Sequence, residues 1–254
     1  MRLVSAGMDA TQLPPAQIKA FALSRGRRAK TGRIDAELIA RFMALRPRAG
    51  RRLPNEKLRV LRALTTCRAQ MVELRKRLVA QIGARMRQDV AAELDLMDEE
   101  LRTMLEAQIR ELEQRIAGIL AQENALAAKA KLLRSIPGSG PVCAAMLLSE
   151  MPELGHMKAG EAASMTGLAP VSHDSGAMRG RRMIAGGRRA PRHVLFQAAL
   201  AAPCHNPALK PIAKRLKEKG KPHKLVIIAI ARRLITIANA VLKSGTAWQH
   251  RACA

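Results

Sequence analysis

The sequence predicts a mainly α-helical protein with a long helical arm in its middle, and three observations support this class. Between Asn55 and about Lys131 the 254-residue chain contains no proline, and the strong helix formers Ala, Leu, Glu, Gln and Arg dominate. Apolar residues in that stretch recur every three or four positions, as they do on one face of a helix. After residue 55, no stretch shows the sustained alternation of polar and apolar residues that is typical of a β-strand.

Residues 1–54 are basic and are interrupted by prolines and glycines, a pattern that predicts short elements joined by turns. Within them, Asp35–Ala44 has the apolar spacing of a short amphipathic helix. The basic charge and the frequent prolines and glycines distinguish this region from the proline-free stretch that follows it.

The predicted arm, residues 55–131, is acidic in its second half. Ten of the 20 acidic residues lie between Asp89 and Glu123, where only three basic residues occur. Such a segment repels DNA, so we expect it to form a coiled-coil hairpin or a dimer arm and to make the protein a homo-oligomer. The apolar stripe of this arm consists of Leu58, Leu61, Met71, Leu74, Leu78, Leu94, Met97, Leu101, Leu105, Ile109, Leu112, Ile116 and Ile119.

The third region, residues 132–254, is predicted to contain short helices joined by glycine-rich turns. Two helices are clear from their apolar spacing, Arg192–Ala202 and Lys224–Lys243, and the second is expected to end at Gly245. The segment from Val171 to Gly187 is the exception, which we expect to form a loop or a small hairpin.

The longest apolar stretch, Leu225–Leu242, carries Arg232 and Arg233 at its centre. Charges at that depth are costly in a bilayer, so the stretch predicts a buried or amphipathic helix rather than a membrane span. The first residues lack the apolar core of a secretory signal peptide. The four cysteines are widely scattered, without zinc-ligand spacing, and suit thiols in a reducing compartment. We therefore expect a cytoplasmic protein without a membrane partner.

The chain carries 45 Lys and Arg against 20 Asp and Glu, and its net charge of +25 predicts nucleic acid or an anionic membrane surface as a partner. It contains no tyrosine, which excludes a tyrosyl nucleophile, and only 2% of its residues are aromatic. That scarcity argues against domains that stack bases on aromatic rings. Contacts to nucleic acid must therefore rely on charge, backbone groups and hydroxyls.

The segment Ile136–Pro141, followed by an apolar helix over Val142–Met151, has the pattern of a helix-hairpin-helix element. Gly138 and Gly140 allow a tight turn, and the free N–H groups of the following helix can bind a phosphate of the DNA backbone. The alternative is a Pro/Gly turn between two packed helices.

A second candidate site is the loop Gly167–Gly176, which contains Ser172 and Ser175 and precedes a cluster of arginines. Phosphoryl transfer through a serine needs an exposed hydroxyl, and guanidinium groups that neutralise the charge of the scissile phosphate. The residues alone favour a simpler alternative, a phosphate-contacting loop with an incidental serine. His173 is interpreted as a polar neighbour of Ser175, not as part of a triad. The arginines are Arg179, Arg181, Arg182, Arg188, Arg189 and Arg192.

A basic run follows in the C-terminal region, with Glu218 as its only acidic residue. We interpret it as a contact to the nucleic-acid backbone, and a solvated helix face is the alternative. The run contains Lys210, Lys214, Arg215, Lys217, Lys219, Lys221 and Lys224.

Several ordered blocks of the sequence resemble one family of bacterial insertion-sequence transposases, the DEDD/serine transposases, some of which are guided by a bridge RNA. The C-terminal blocks are IPGSGPVCAAMLLSEM, ASMTGLAPVSHDSGAMRGRRMIAGGRRAPRHVLFQAAL and KPHKLVIIAIARRLITIANAVLKSG. PAQIKAFA and AKTGRIDA near the beginning of the chain also match the family. The resemblance covers nearly the whole chain and places the arm where the family has it.

This resemblance implies a RuvC-like N-terminal domain whose four acidic residues hold divalent metal, and a C-terminal domain with a nucleophilic serine. Ser175 occupies the position of that serine, and Ser172 is a reserve candidate. The implied reaction is DNA strand cleavage through a phosphoserine, followed by strand exchange and religation. Because the ester conserves the energy of the cut bond, no nucleotide cofactor is required.

The N-terminal region departs from the family pattern. Where the family has a Lys-Thr-Asp-x-x-Asp-Ala motif, this chain has Gly32 in place of the first acid, so that only Asp35 remains. One carboxylate beside Lys30 and Arg33 is a poor site for Mg²⁺, which binds several oxygens. We expect a copy that lacks the beginning of the RuvC-like domain, has an incomplete metal site and does not transpose by itself.

The predicted organisation is therefore a remnant of a RuvC-like α/β domain (1–54), a helical coiled-coil arm (55–131) and a C-terminal serine transposase domain (132–254). Two functions remain open. The first is serine-dependent DNA transposition or recombination, with DNA and, where one is used, a guide RNA as partners. The second is a non-catalytic remnant that binds the backbone of DNA or RNA and associates with full-length transposase.

Overall fold

The computed structural model describes residues 10–27, 31–47, 49–53, 55–88, 92–172, 180 and 182–250. These residues contain ten α-helices and two antiparallel pairs of two-residue strands, which confirms the mainly α prediction. The chain divides into two compact units, Met1–Asn55 and Glu56–Ala254. The predicted arm and the predicted C-terminal domain both lie in the second unit, and their division near residue 131 stays a prediction, as does the RuvC-like ancestry of the first unit.

The first unit is a small helical pair. Thr31 caps its second helix, because its hydroxyl accepts a hydrogen bond from the backbone N–H of Ile34 at 3.3 Å. Phe42 is buried, and its ring meets Phe21 of the first helix edge to face at a centroid distance of 5.5 Å. The elements are β1 (Thr11–Gln12), α1 (Pro15–Ser24), α2 (Gly32–Leu45) and β2 (Arg51–Arg52), with Thr11 opposite Arg52 and Gln12 opposite Arg51.

The second unit begins with a helical hairpin, formed by α3 (Glu56–Met86) and α4 (Asp95–Ala121) with a short 3₁₀ turn at Ala92–Leu94. The two helices are antiparallel, and Leu105 and Ile109 of α4 are buried. Three ion pairs cross the hairpin in antiparallel order: Lys57–Glu123, Arg68–Glu113 and Arg85–Asp98. The predicted hairpin is therefore present, and its coiled-coil packing stays a prediction.

The remaining helices pack around one apolar core. Helix α6 is buried on all sides: its residues 143–150 are all buried, because α3, α5 and α8 enclose this helix. Buried residues of α10 complete the core. The helices and strands are α5 (Asn124–Arg134), α6 (Pro141–Glu150), α7 (Ala159–Met165), β3 (Pro170–Val171), β4 (Met183–Ile184), α8 (Arg189–His205), α9 (Lys210–Glu218) and α10 (His223–Ser244).

The two helices predicted in this region are present and slightly longer than expected, as α8 and α10. Gly245 ends α10 in the left-handed conformation, with φ of +66°, as predicted. By length and hydropathy α10 could cross a membrane, but half of its apolar window is buried inside the fold and its middle carries Arg232 and Arg233. This helix is thus part of the core.

A buried polar contact fixes the chain between α6 and α7. The Asn239 side chain of α10 accepts a hydrogen bond from the Gly155 N–H at 2.8 Å and donates one to the carbonyl of Met157, also at 2.8 Å. Since Asn239 is only 4% exposed, both of its polar atoms need these partners. Residues 151–158 are therefore held in one conformation on the core.

Candidate functional site

A short β-hairpin carries the serine loop. Strand β3 pairs with β4 in antiparallel register, with Pro170 opposite Ile184 and Val171 opposite Met183. The described ends of the segment from Val171 to Gly187 are therefore paired as antiparallel strands, in agreement with the small hairpin that was one of the two predicted forms. Ser172 follows β3 directly and is exposed. Four predicted site residues of this loop, His173, Ser175, Arg179 and Arg181, lie outside the described residues.

The two ends of the hairpin are held together by backbone contact between two glycines. Gly167 and Gly187 both have positive φ, +66° and +69°. A Cβ atom on Gly187 would lie 2.6 Å from the Cα of Gly167, so only glycine fits at this approach. The next N–H, of Arg188, donates to the carbonyl of Met165 at 2.7 Å. The base of the hairpin is therefore pinned to the end of α7.

Arg188 does not extend into solvent. Its guanidinium forms an ion pair with Glu153 and also donates to the backbone carbonyl of Glu150. The Arg188 and Glu153 side chains are 21% and 31% exposed, so the pair is partly shielded from water. These contacts use both terminal nitrogens of the guanidinium and connect the hairpin base to the end of α6.

The other described arginines of the cluster differ in whether they contact the protein or are exposed to solvent. The Nη1 of Arg192 donates to the carbonyl of Gly186 at 2.8 Å, which fixes the segment between β4 and α8. Arg182, next to β4, and Arg189, the first residue of α8, are exposed. Arg182 and Arg189 therefore offer their charge to solvent, whereas Arg188 and Arg192 contact the protein itself.

The predicted helix-hairpin-helix turn joins α5 to α6. Gly138 has φ of +96° and lies against α8, since a Cβ atom there would be 2.8 Å from the Cβ of Ala202. The Asn206 side chain donates to the carbonyl of Pro137 at 3.2 Å and ties the same turn to the end of α8. Gly140, in contrast, is exposed at the N-terminus of α6 and has open space around it. The turn is thus packed on one side and open on the other, and a DNA contact here stays a prediction.

Asp35 lies in the first turn of α2, where its carboxylate is favourable to the helix dipole. The nearest acidic residue in sequence, Glu37, forms an ion pair with Arg41 at 2.7 Å. No group of three or more His, Cys, Asp and Glu side chains that could hold a metal ion occurs within the described ranges. Because Mg²⁺ binds several oxygen ligands, the described residues around Asp35 do not fit this ion.

The contacts of Glu150 and Glu153 were not predicted from the sequence. The carboxylate of Glu150, 5% exposed, accepts a hydrogen bond from the Nε of Arg62 in α3 at 2.7 Å. Glu153 reaches Arg188, which is 35 positions away along the chain. No periodicity or motif signals a pair at that separation. This segment therefore joins the arm to the hairpin base by contacts that only the fold reveals.

Two protein-family models match the chain at different places. The model described as Transposase IS116/IS110/IS902 family covers residues 130–213, which include α6, the hairpin and α8. A second model, described as Transposase and representing DEDD transposases of the IS110 type, covers residues 1–91.

The chain is also similar to pilin gene-inverting proteins and to an insertion-element protein. It is 30% identical over 244 residues to the pilin gene-inverting protein of Moraxella bovis, an alignment that covers 93% of this chain and 73% of that protein. The pilin gene-inverting protein of Moraxella lacunata matches to the same extent. The insertion element IS110 43.6 kDa protein of Streptomyces coelicolor is 32% identical over 127 residues, 47% of this chain and 30% of that protein.

Proposed function

The chain belongs to the IS116/IS110/IS902 family of DNA-recombining transposases, and from this premise we propose that it cuts and rejoins DNA through a phosphoserine on Ser175. The observation that carries the proposal is the pairing of β3 with β4, which brings together the two ends of the segment that contains Ser175, with Ser172 and Arg182 exposed at those ends. A nucleophilic hydroxyl must be accessible to a duplex, and connecting segments between strands commonly supply such residues.

The proposed step is a transesterification. The Oγ of Ser175 forms a bond to phosphorus while one of the two P–O bonds that join the phosphate to deoxyribose breaks. The serine proton is lost, and the leaving deoxyribose oxygen gains a proton, so no oxidant, reductant or nucleotide is consumed. Attack by the hydroxyl of another strand end reverses the step and restores the free serine. The number of phosphodiester bonds is thereby conserved.

The positive charge of the loop supports this chemistry. The phosphorane-like transition state carries more negative charge on its oxygens than the phosphodiester does, and nearby guanidinium groups stabilise it. Arg182 and Arg189 are the described arginines whose exposure suits them to this role, with Arg179 and Arg181 as further candidates. We assign Arg188 and Arg192 to positioning of the loop, because their guanidinium groups already contact Glu153 and Gly186.

DEDD transposases generally depend on metal. Because the donors around Asp35 in the described part of the chain do not fit Mg²⁺, the proposed reaction is written without a step through a metal ion. That misfit favours one alternative function, a non-catalytic protein that binds the backbone of DNA or RNA and associates with full-length transposase.

The proposal extends to assembly and location. We propose that the protein acts in the cytoplasm as a homo-oligomer joined through the α3–α4 arm. Support comes from α4, where Met97, Leu101 and Met104 are 66%, 39% and 53% exposed. Their i, i+4, i+7 spacing puts them on one face of the helix, a pattern typical of helix–helix association. A bridge RNA is a further partner proposed from the family resemblance.

Covalent trapping tests the proposed reaction. Purified protein is incubated with labelled duplexes that contain the ends of its own insertion element, with Mg²⁺, and denatured adducts are separated by gel electrophoresis. We expect an adduct that mass spectrometry maps to Ser175 and that Ser175→Ala abolishes while Ser172→Ala retains it. An adduct that persists in Ser175→Ala would assign the nucleophile elsewhere. Salt-sensitive binding without an adduct, also in the presence of bridge RNA, would support the non-catalytic alternative.

A further inference from the structure

The surface of the second unit is strongly basic along α9 and the turn that follows it. Between residues 206 and 243 the single acidic residue is Glu218. Glu218 meets Lys214 at 3.8 Å, and both side chains are highly exposed, at 61% and 77%, so this ion pair neutralises little of the local charge. Most of the lysine charge on α9 is therefore not compensated within this part of the chain.

The lysines of α9 lie opposite its packed face. Ala213 is buried, and Ile212 and Leu216 are partly buried against the core. Lys210, Lys214 and Lys217 are exposed and follow an i, i+4, i+7 spacing, which places them in one row of about 10 Å along the helix. The packed residues fix the orientation of the helix, so the row of charges has a defined direction.

The beginning of α10 extends this row with charges that are unfavourable to the fold. Lys221 and Lys224 are exposed beside the N-terminus of α10, and no acidic residue lies in the first turn of that helix. The N-terminus of a helix is the positive end of its dipole, so cations there lower stability. Folding alone does not account for these lysines, whereas a bound anion would be stabilised by them and by the helix end together.

We propose that Lys210, Lys214, Lys217, Lys221 and Lys224, here named the α9 face, bind the phosphate backbone of duplex DNA without reading its sequence. Lysine acts as a point charge on phosphate and lacks the planar donor pair with which arginine reads guanine. The described residues of this face include no aromatic side chain on which unpaired bases could stack, which favours a duplex over a single strand.

The choice of DNA rests on the proposed function, because a recombining protein must hold duplex beside the bond that it cuts. The α9 face follows the C-terminal end of α8, whereas the hairpin precedes the N-terminal end of that helix. The three lysines substituted in the test are not among the residues that we propose for the serine reaction. Binding at the α9 face can therefore be measured independently of the serine reaction.

The test compares two variants that remove equal charge from different places, both in the full chain with Ser175→Ala to prevent reaction. The first is Lys210→Gln/Lys214→Gln/Lys217→Gln on α9. The matched control is Lys76→Gln/Arg77→Gln/Arg87→Gln, which removes three exposed charges from the arm. A third variant with arginine at the three α9 positions retains the charge and reports whether substitution itself disturbs the helix.

Fluorescence anisotropy with a labelled 30-base-pair DNA duplex of arbitrary sequence, at several salt concentrations, gives the affinity and its salt dependence. Each phosphate contact contributes about −0.9 to the slope of log K against log salt, so the glutamine variant should lose about 2.7 of the slope. At about 0.15 M salt its affinity should fall roughly tenfold to hundredfold. The arginine variant and the arm control should bind nearly as the parent does.

Three outcomes would overturn the proposal: unchanged binding in the α9 variant, an equal loss in the arm control, or a loss confined to duplex RNA of the same sequence. The last would assign the face to an RNA partner. The binding result does not depend on whether Ser175 forms an adduct with DNA, so the two proposals can fail separately. If the parent protein does not bind duplex DNA at all, both the proposed role of the α9 face and the proposed serine reaction are contradicted.

Discussion

The guanidinium of Arg188 forms an ion pair with the carboxylate of Glu153, and this contact joins two parts of the molecule that are distant in sequence. Arg188 follows the glycine that closes the hairpin, and Glu153 lies just beyond α6. Because Arg62 of α3 binds Glu150 in the same segment, the end of α6 receives contacts from both the arm and the hairpin base.

Substituting Glu153 with Gln should weaken this connection without removing the side chain. We expect the free energy of unfolding to fall by about 1–2 kcal/mol, since the lost contact is a charge-assisted hydrogen bond that is partly shielded from water. Urea denaturation followed by circular dichroism measures the change. Glu218→Gln is the control, because it removes an exposed i, i+4 pair with Lys214 and should change stability by less than about 0.5 kcal/mol. Equal effects of both substitutions would contradict a structural role for the Arg188–Glu153 pair.

The glycine pair at the hairpin base provides a second test with a neighbouring control. Gly186 and Gly187 have nearly the same φ, +64° and +69°, but a Cβ atom on Gly186 would meet no atom within 4 Å, whereas one on Gly187 would clash with the backbone of Gly167. Alanine at either position incurs the cost of positive φ, about 1–2 kcal/mol, and at Gly187 the backbone must also shift. We expect Gly187→Ala to lower the melting temperature clearly more than Gly186→Ala, measured by differential scanning calorimetry. Identical shifts would mean that the close approach does not constrain the hairpin.

The fold class was predictable because it depends on local patterns. A proline-free run with apolar residues every three or four positions is enough to indicate α3 and α4, and Gly245 marks the end of α10. The α2 helix begins at Gly32, three residues before the predicted start at Asp35, because the Thr31 hydroxyl caps it. A glycine is a poor helix former, so the sequence pattern alone does not place a helix start there.

The candidate site was less predictable because its contacts are between distant residues. Strands β3 and β4 have two residues each, too few for an alternating pattern to be recognised. The arginine cluster appears uniform in sequence, but the fold separates Arg188, which contacts Glu153, from the exposed Arg189. Gly138 likewise suits a phosphate-binding turn, although its surroundings include Ala202, which is 64 positions away in the sequence. Such differences depend on packing, which local patterns do not encode.

Leu61 joins the arm to the core, and truncating it should be costly. It is fully buried in α3 and clusters with Ile116 of α4 and Ala145 of α6. Leu61→Ala removes buried methyl groups and leaves a cavity, so we expect a loss of about 2–5 kcal/mol in the free energy of unfolding. The control is Leu74→Ala in the same helix, at a position that is 47% exposed, where the loss should stay below about 1 kcal/mol. Chemical denaturation distinguishes the two, and similar losses would contradict the packing of α3 on α6.

Cys143 and Cys204 should differ sharply in reactivity toward thiol reagents. Burial raises the pKa of the Cys143 thiol to about 11, so at pH 8 it is both protonated and inaccessible, whereas Cys204 is exposed. We expect iodoacetamide to label Cys204 in the native protein and Cys143 only after denaturant is added. Peptide mapping by mass spectrometry identifies the labelled residue, and rapid native labelling of Cys143 would contradict its burial in α6.

The same thiol contributes to the pH dependence of stability. Its pKa is higher in the folded state than the ordinary value of 9.0, so its contribution is complete below about pH 9 and is lost as the pH rises toward about 11. The free energy of unfolding should therefore decrease over that range by on the order of 2–3 kcal/mol more than in Cys143→Ala. A parallel pH dependence in the two proteins would show that the thiol has the same pKa in the folded and unfolded states, which would contradict the effect of burial.

The exposed apolar face of α4 predicts that the arm joins two copies of the chain, and a charge placed on this face tests that prediction. Leu101→Lys places a charge in the middle of the face formed with Met97 and Met104, and a buried unpaired charge opposes association. If the arm joins two copies, the parent should have about twice the monomer mass of 27.7 kDa in light scattering, and the variant should shift toward the monomer. The matched control is Leu96→Lys, because Leu96 is 84% exposed on a different face of α4 and its substitution should leave the mass unchanged. A dimer that persists in Leu101→Lys, or that is lost equally in Leu96→Lys, would place the interface elsewhere.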